Sequence, residues 1–172
     1  MVTTVLSDLR RARHLAEQVP DPELPMLTLA DLGVLREVTV EADGTVVASL
    51  TPTYSGCPAM AEMRAGVAAR LRDAGFGRVE IRTVLDPPWT SDWITPDGRR
   101  KLAEHGIAPP MTAPRRPVGP VPLTLSPTRR TVACPRCGSA DTEETSRFAA
   151  TSCKALWRCL TCREPFEYVK EI

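Results

Sequence analysis

At 172 residues the chain has room for one domain of ordinary size and a second, small one that needs help to hold its shape. The formal net charge of +1 divides unevenly, with 12 basic and 15 acidic side chains in residues 1–112 and 10 and 6 in residues 113–172. A solvated surface explains the basic tail as well as nucleic acid does, 5% aromatic residues are too few for a base-stacking platform, and no apolar stretch approaches membrane-spanning length.

The first residues, through Asp8, hold no apolar core of signal-peptide length, so a soluble, cytoplasmic chain is expected. Val5, Leu9, Ala12, Ala16 and Val19 mark one face of a first helix that stops at Pro20 and Pro22. Val34, Val38 and Val40 alternate with polar residues, Asp43-Gly44 supplies a hairpin turn, and Val46, Ala48 and Leu50 return antiparallel. Pro58 suits the first position of a second helix, whose Met60, Met63, Val67, Ala68 and Leu71 repeat at helical spacing until Gly75. Val79, Ile81, Thr83 and Leu85 read as a third strand, and a last helix runs from about Pro96 to His105, stopped by Gly106. The order helix, strand, strand, helix, strand predicts an α+β domain over residues 1–108, with a three-stranded sheet covered on one face.

Seven of the 17 prolines fall between Pro109 and Pro127, which bars a helix or central strand and predicts a stiff, extended linker over residues 109–128. No repeated PxxP pattern favours a docking peptide there. Residues 129–172 then hold two CxxC turns, Cys134-Pro-Arg-Cys137 and Cys159-Leu-Thr-Cys162. Each places two sulfurs on one side of a tight loop, and together they make a tetrahedral four-cysteine site, the pattern of a zinc ribbon. In a reducing compartment such pairs bind metal rather than bridge, and all-thiolate ligation suits zinc or iron, zinc being favoured on ligand type. Phe148, Trp157, Phe166 and Tyr168 are expected to cover the metal and pair across short strands.

Two cysteines remain. Cys57 follows Thr51-Pro52-Thr53 and precedes Pro58, at the expected N-terminus of the second helix, where free N–H groups and the helix dipole favour a thiolate. It reads equally as a nucleophile or metal ligand and as a small buried residue. The chain's two histidines, His14 and His105, are distant in sequence, which argues against a cysteine–histidine hydrolase. Asp21-Pro22-Glu23 and Asp31-Leu32-Gly33 flank the first strand and offer either carboxylates toward Cys57 or turn caps. Cys153 is a fifth sulfur that tetrahedral zinc does not need; it reads as a small apolar cover, a substitute ligand or a cluster ligand shared with Cys57 or a second subunit.

Asp21-Pro22-Glu23, Asp31-Leu32-Gly33, Thr51-Pro52-Thr53 and Cys57-Pro58 together resemble the small α+β domain of the iron-sulfur cluster assembly factors, the group that includes SufT-like proteins. Pro87-Pro88-Trp89-Thr90-Ser91-Asp92-Trp93-Ile94, Gly98-Arg99-Arg100-Lys101-Leu102, Gly106-Ile107-Ala108-Pro109-Pro110, the run from Cys153 through Trp157 to Cys159, and Glu164-Pro165-Phe166 extend the likeness over nearly the whole chain. They resemble the PaaD (PaaJ) family, accessory proteins of the bacterial phenylacetyl-CoA epoxidase system of aerobic phenylacetate breakdown.

The resemblance implies a non-catalytic role in maturing the metal centres of that multicomponent monooxygenase, foremost the iron-sulfur cluster of its reductase subunit. It makes Cys57 the reactive or cluster-binding cysteine, Asp21 and Glu23 the acidic signature, and Cys134, Cys137, Cys159 and Cys162 the zinc ligands. Iron or an iron-sulfur cluster would be carried transiently. The alternative is an architectural or docking subunit of the epoxidase. Nucleic-acid binding through Arg115, Arg116, Arg129 and Arg130 is a third reading, set aside because arginine pairs in a linker are ordinarily solvated charge. Whether the chain acts alone or as a homodimer is left open by the sequence.

Overall fold

The computed structural model describes residues 2–112 and 131–172, with side chains from Leu6 onward. Residues 113–128 of the expected linker and Arg115, Arg116, Arg129 and Arg130 lie outside the described residues. The chain divides into two compact units, Met1–Lys101 and Leu102–Ile172.

In the first unit, helix α1 (Val2–Glu17) buries Ala12 and Ala16, and Val19 just beyond it, while Leu9 is half-buried. Strand β1 (Leu35–Val40) pairs antiparallel with β2 (Val46–Leu50), and the 41–45 turn closes through the Glu41 N–H donating to Thr45 O at 2.9 Å. Val38 faces Ala48 across the pair and both are buried. The alternation breaks at a bulge between Leu35 and Glu37. Bulges re-aim side chains, and Arg36 lies over the Trp93 ring with its Cζ 3.4 Å from the centroid.

Helix α2 (Met60–Asp73) buries Met63, Val67, Ala68 and Leu71, the stripe its sequence predicts. It connects β2 to β3 (Val79–Thr83), which pairs parallel with β2; a parallel pair requires such a crossover. The sheet order is β1-β2-β3, with α1 against β1 and β2, α2 against β3, and the two helices in contact. The fold is α+β in the expected element order. Three boundaries differ. Pro58 precedes the helix rather than opening it: the helix begins at Met60, and Ala59 is its N-cap, without a side-chain bond. The third strand ends at Thr83, leaving Leu85 61% exposed. Helix α3 spans Pro96–Glu104, one residue short of His105.

In the second unit, Ile107 and Ala108, expected to close the first domain, form strand β4 and pair parallel with β7 (Pro165–Val169). With β5 (Thr142–Ser146) and β6 (Lys154–Cys159) they make a four-stranded sheet of order β4-β7-β6-β5. Trp157 stands opposite Phe166, and its ring meets Tyr168 edge-on at 5.9 Å; all three are buried. Phe148, expected in the same cover, is instead 63% exposed, with Lys170 Nζ 4.5 Å from its ring centroid. It follows the end of β5, so no strand neighbour covers it.

Candidate functional site

The four knuckle cysteines come together as their spacing predicts. Their sulfurs all lie within 4.8 Å of one another, and among the described residues they are the only group of three or more potential ligands so placed. Cys134 Sγ is 3.8 Å from Cys162 Sγ, and Cys137 Sγ is 3.6 Å from Cys159 Sγ. Four sulfurs on a tetrahedral zinc with bonds of about 2.3 Å stand roughly 3.8 Å apart, so the donor set fits the ion.

The two knuckles are built alike. Cys134 N–H donates to Ser139 O at 2.9 Å and Cys159 N–H to Glu164 O at 3.0 Å. The residue after each second cysteine is left-handed, Gly138 at φ 74° and Arg163 at φ 67°. Glycine adopts that conformation freely; arginine does so at a steric cost.

The thiols also need a cation electrostatically. The Cys162 N–H, which donates to Cys159 Sγ at 3.5 Å, is the main cause that lowers the Cys159 thiol to about 6. The Cys162 thiol receives the Glu164 N–H, yet burial and the three neighbouring sulfurs push it up to about 12. Cys137 is also raised: the Ser139 backbone favours its thiolate, but the Cys159 sulfur and burial outweigh that. Sulfurs this close ionise together only around a positive charge, which zinc supplies. Zinc here would be structural, since all four positions are taken by protein.

Cys153 is not part of this cluster. It precedes β6 and Cys159 ends it, so 6 residues of extended strand, about 20 Å, separate the two sulfurs' residues, which rules out ligand substitution. The Thr151 hydroxyl lies 3.1 Å from its Sγ. A groove of about 1060 Å³ on the same unit is lined by Ala155, Trp157 and Tyr168, and none of the six cysteines lines it.

In the first unit, Cys57 is half-buried in the loop between β2 and α2. Its N–H donates to Tyr54 O at 3.1 Å and its carbonyl accepts from Met60 N–H at 3.4 Å, so a turn leads from the cysteine into the helix. At the head of the loop, Thr51 is 1% exposed and its Oγ1 has no hydrogen-bond partner among the described residues.

The acidic residues divide between two tasks. Asp21 is buried, and its Oδ1 accepts the N–H groups of Glu23 at 2.9 Å and Leu24 at 2.8 Å, so the carboxylate closes its own loop. Asp31 Oδ2 accepts from Thr28 N–H at 2.9 Å and from Lys101 Nζ at 2.8 Å. Burial raises its pKa, but Lys101 and the Thr28 N–H outweigh that and hold the carboxyl below its ordinary value. Sequence reasoning gave Lys101 and Trp89 no part in this. Trp89 is buried and donates from Nε1 to Leu32 O at 2.9 Å; its sequence signal, like that of Lys101, is its place in the motifs that carry the family resemblance.

Residues 13–87 match the family described as iron-sulfur cluster assembly protein, and residues 119–170 match the PaaD zinc beta ribbon domain. A protein of Escherichia coli (strain K12) that bears the name of a 1,2-phenylacetyl-CoA epoxidase subunit is 46% identical over 156 residues, 91% of this chain and 88% of that one. An Fe-S protein maturation auxiliary factor of Porphyromonas gingivalis (strain ATCC BAA-308 / W83) is 32% identical over 85 residues, 49% of this chain and 80% of its own. The solved domain of unknown function DUF59 from Bacillus anthracis shares the fold at a TM-score of 0.54 and 23% identity, covering 59% of this chain and 97% of that one. Among the described residues no helix is long and apolar enough to cross a membrane. An iron-sulfur-assembly domain joined to a PaaD zinc ribbon, matched nearly end to end by a protein named as an epoxidase component, places the chain in the PaaD family.

Proposed function

We propose that the chain is a non-catalytic maturation factor of a multicomponent phenylacetyl-CoA epoxidase that assists iron-sulfur cluster assembly or insertion in the reductase subunit. The observation that carries this reading is the match of residues 13–87 to iron-sulfur cluster assembly proteins, a span that contains Cys57 on its half-buried loop. Cys57 presents iron or a nascent cluster. Asp21 shapes the neighbouring loop, and Glu23 is the acidic residue of that loop whose carboxylate is assigned to the iron. The zinc ribbon acts as a rigid surface for the target subunit. Cys153, far along the strand from the zinc, is a second candidate thiolate for a cluster in transit. The protein works in the cytoplasm as a monomer or homodimer, without nucleic acid.

The test is metal and acid-labile sulfide content of anaerobically purified protein, wild type beside Cys57→Ser and Cys153→Ser. About one zinc per chain, with substoichiometric iron and sulfide that vanish in one variant, supports cluster handling and names the ligand. Zinc alone in all three overturns it.

The name of the Escherichia coli relative, that of an epoxidase component, favours a second reading, an architectural or docking role. The two separate in a reconstituted epoxidase: under the maturation reading Cys57→Ser still assembles but leaves the reductase without its cluster. Under the docking reading it is silent.

A further inference from the structure

The loop of residues 27–34 is bonded both to the loop that carries Asp21 and to the head of the loop that carries Cys57. On one side Thr28 bridges Pro20, Asp21 N–H donates to Leu27 O at 2.9 Å, and Leu29 N–H donates to Val19 O at 2.9 Å. On the other, Thr51 N–H donates to Val34 O at 2.9 Å, at the head of the Cys57 loop. The acidic loop and the cysteine loop therefore share one strut.

Residues 88–101 grip that strut. Lys101 Nζ reaches Asp31 Oδ2 at 2.8 Å, Thr95 N–H donates to Asp31 O at 2.8 Å, and Trp89 Nε1 donates to Leu32 O at 2.9 Å. The approach is close enough to exclude side chains: a Cβ on Gly33 would stand 2.6 Å from Trp93 Cβ, and one on Gly98 would stand 2.9 Å from Asp31 O. Arg99 stiffens the segment itself, donating to Ser91 O at 2.8 Å. Residues 88–118 belong to neither matched family span.

We propose that this segment is a clamp and that Lys101, acting through Asp31, with Trp89 acting through Leu32, are positioning residues for Cys57. Asp31 is 9% exposed, and without Lys101 its carboxylate keeps the Thr28 N–H at 2.9 Å and the Thr95 hydroxyl at 3.5 Å but no cation, which draws it toward water. Reaching water means moving the strut, which releases the Thr51 N–H and opens the loop that carries the thiol. The consequence for iron or cluster handling rests on the function proposed above; the positioning itself does not.

The experiment is peptide-resolved iodoacetamide labelling of the full-length, zinc-loaded protein, read by mass spectrometry. Lys101→Met is expected to speed Cys57 labelling about tenfold, the low end of the scale of one lost charge-assisted hydrogen bond. Lys101→Arg should stay near wild type, and so should the double variant Asp31→Asn with Lys101→Met, which removes both charges together. Rescue by deleting a second group is not what general destabilisation gives. Cys153, in the other unit, reports background and should label at one rate throughout. If Lys101→Met does not fold, Trp89→Phe supplies the same readout with the ring retained. An unchanged Cys57 rate in a folded variant, or a double variant as fast as the single, overturns the clamp. Labelling reads the clamp whether or not the protein carries iron, so each idea can fail alone.

Discussion

Gly33→Ala tests whether the contact between the Asp31-Leu32-Gly33 loop and the Trp93 segment is as close as it stands. Gly33 has φ 69°, and a Cβ there would stand 2.6 Å from Trp93 Cβ and 2.8 Å from Trp93 O. The left-handed backbone costs a non-glycine residue about 1–2 kcal/mol, and forcing an extra carbon into a packed site costs about 1–3 kcal/mol. Alanine recovers about 0.4–1 kcal/mol by restricting the unfolded chain. The net expectation is a loss of about 1–4.5 kcal/mol, against an ordinary domain's stability of about 5–15 kcal/mol.

Gly98→Ala is the matched control. Its Cβ would also crowd, at 2.9 Å from Asp31 O, but Gly98 lies in α3, where alanine is favoured over glycine by about 1 kcal/mol. It should cost about 0–2 kcal/mol on the same overpacking scale. Urea unfolding followed by tryptophan fluorescence measures both in a Trp157→Phe background, where the remaining tryptophans, Trp89 and Trp93, report the first unit alone. A Gly33→Ala loss below about 1 kcal/mol, or one no larger than that of Gly98→Ala, would refute the reasoning, because the low ends of the backbone and overpacking terms, less the unfolded-state gain, still sum to about 1 kcal/mol.

Three further outcomes follow from the same geometry. Chelating zinc, or Cys159→Ser, should unfold the ribbon while the first unit keeps its helices, seen as loss of the near-ultraviolet signal of Trp157 with most far-ultraviolet signal retained. Arg163→Gly relieves a left-handed arginine and should raise ribbon stability by about 0.5–1 kcal/mol in thermal unfolding, whereas Gly138→Ala at the matching turn should lower it. Because the folded Asp31 carboxyl lies below its ordinary 3.8, its contribution is full above that value and fades as pH falls through the lowered one. Asp31→Asn should therefore flatten the acid limb of the stability profile below about pH 4, where Lys101 stays protonated in both states.

The parts legible in the sequence are those with short-range causes. The stripe Met63, Val67, Ala68 and Leu71, the pairing of Val38 with Ala48 through the 41–45 turn, and the two CxxC turns each follow from spacing within a few residues. What escaped depends on distant partners. Ile107 and Ala108 are a strand only because Glu167 and Tyr168 pair with them. Phe148 reads as core by residue type, yet it follows the end of β5, where no neighbouring strand covers it. Residues 88–101 read as loop and short helix, and their grip on Asp31 and Leu32 spans 57 to 70 positions of sequence, a distance no local pattern encodes.

The contrast between the two thiol settings constrains any cluster chemistry. Zinc in the ribbon would be held by all four sulfurs of Cys134, Cys137, Cys159 and Cys162, which leaves no open position for exchange. Cys57, by contrast, is the only cysteine of the first unit. An iron-sulfur cluster is commonly held by four thiolates, so a cluster at Cys57 must draw ligands from elsewhere. A second copy adds one more Cys57; Cys153 adds another where geometry allows; a target subunit supplies its own set. Under the proposed function a shortage of ligands favours transfer, since a cluster that Cys57 held with few donors would pass downhill to a complete set of cysteines. Iron recovered with Cys57 should accordingly be substoichiometric and should leave the protein when an apo-reductase with its cysteines intact is added, but not when those cysteines are replaced. Full retention of iron in the presence of intact apo-reductase would mean that the chain stores iron, and delivery would have to be abandoned.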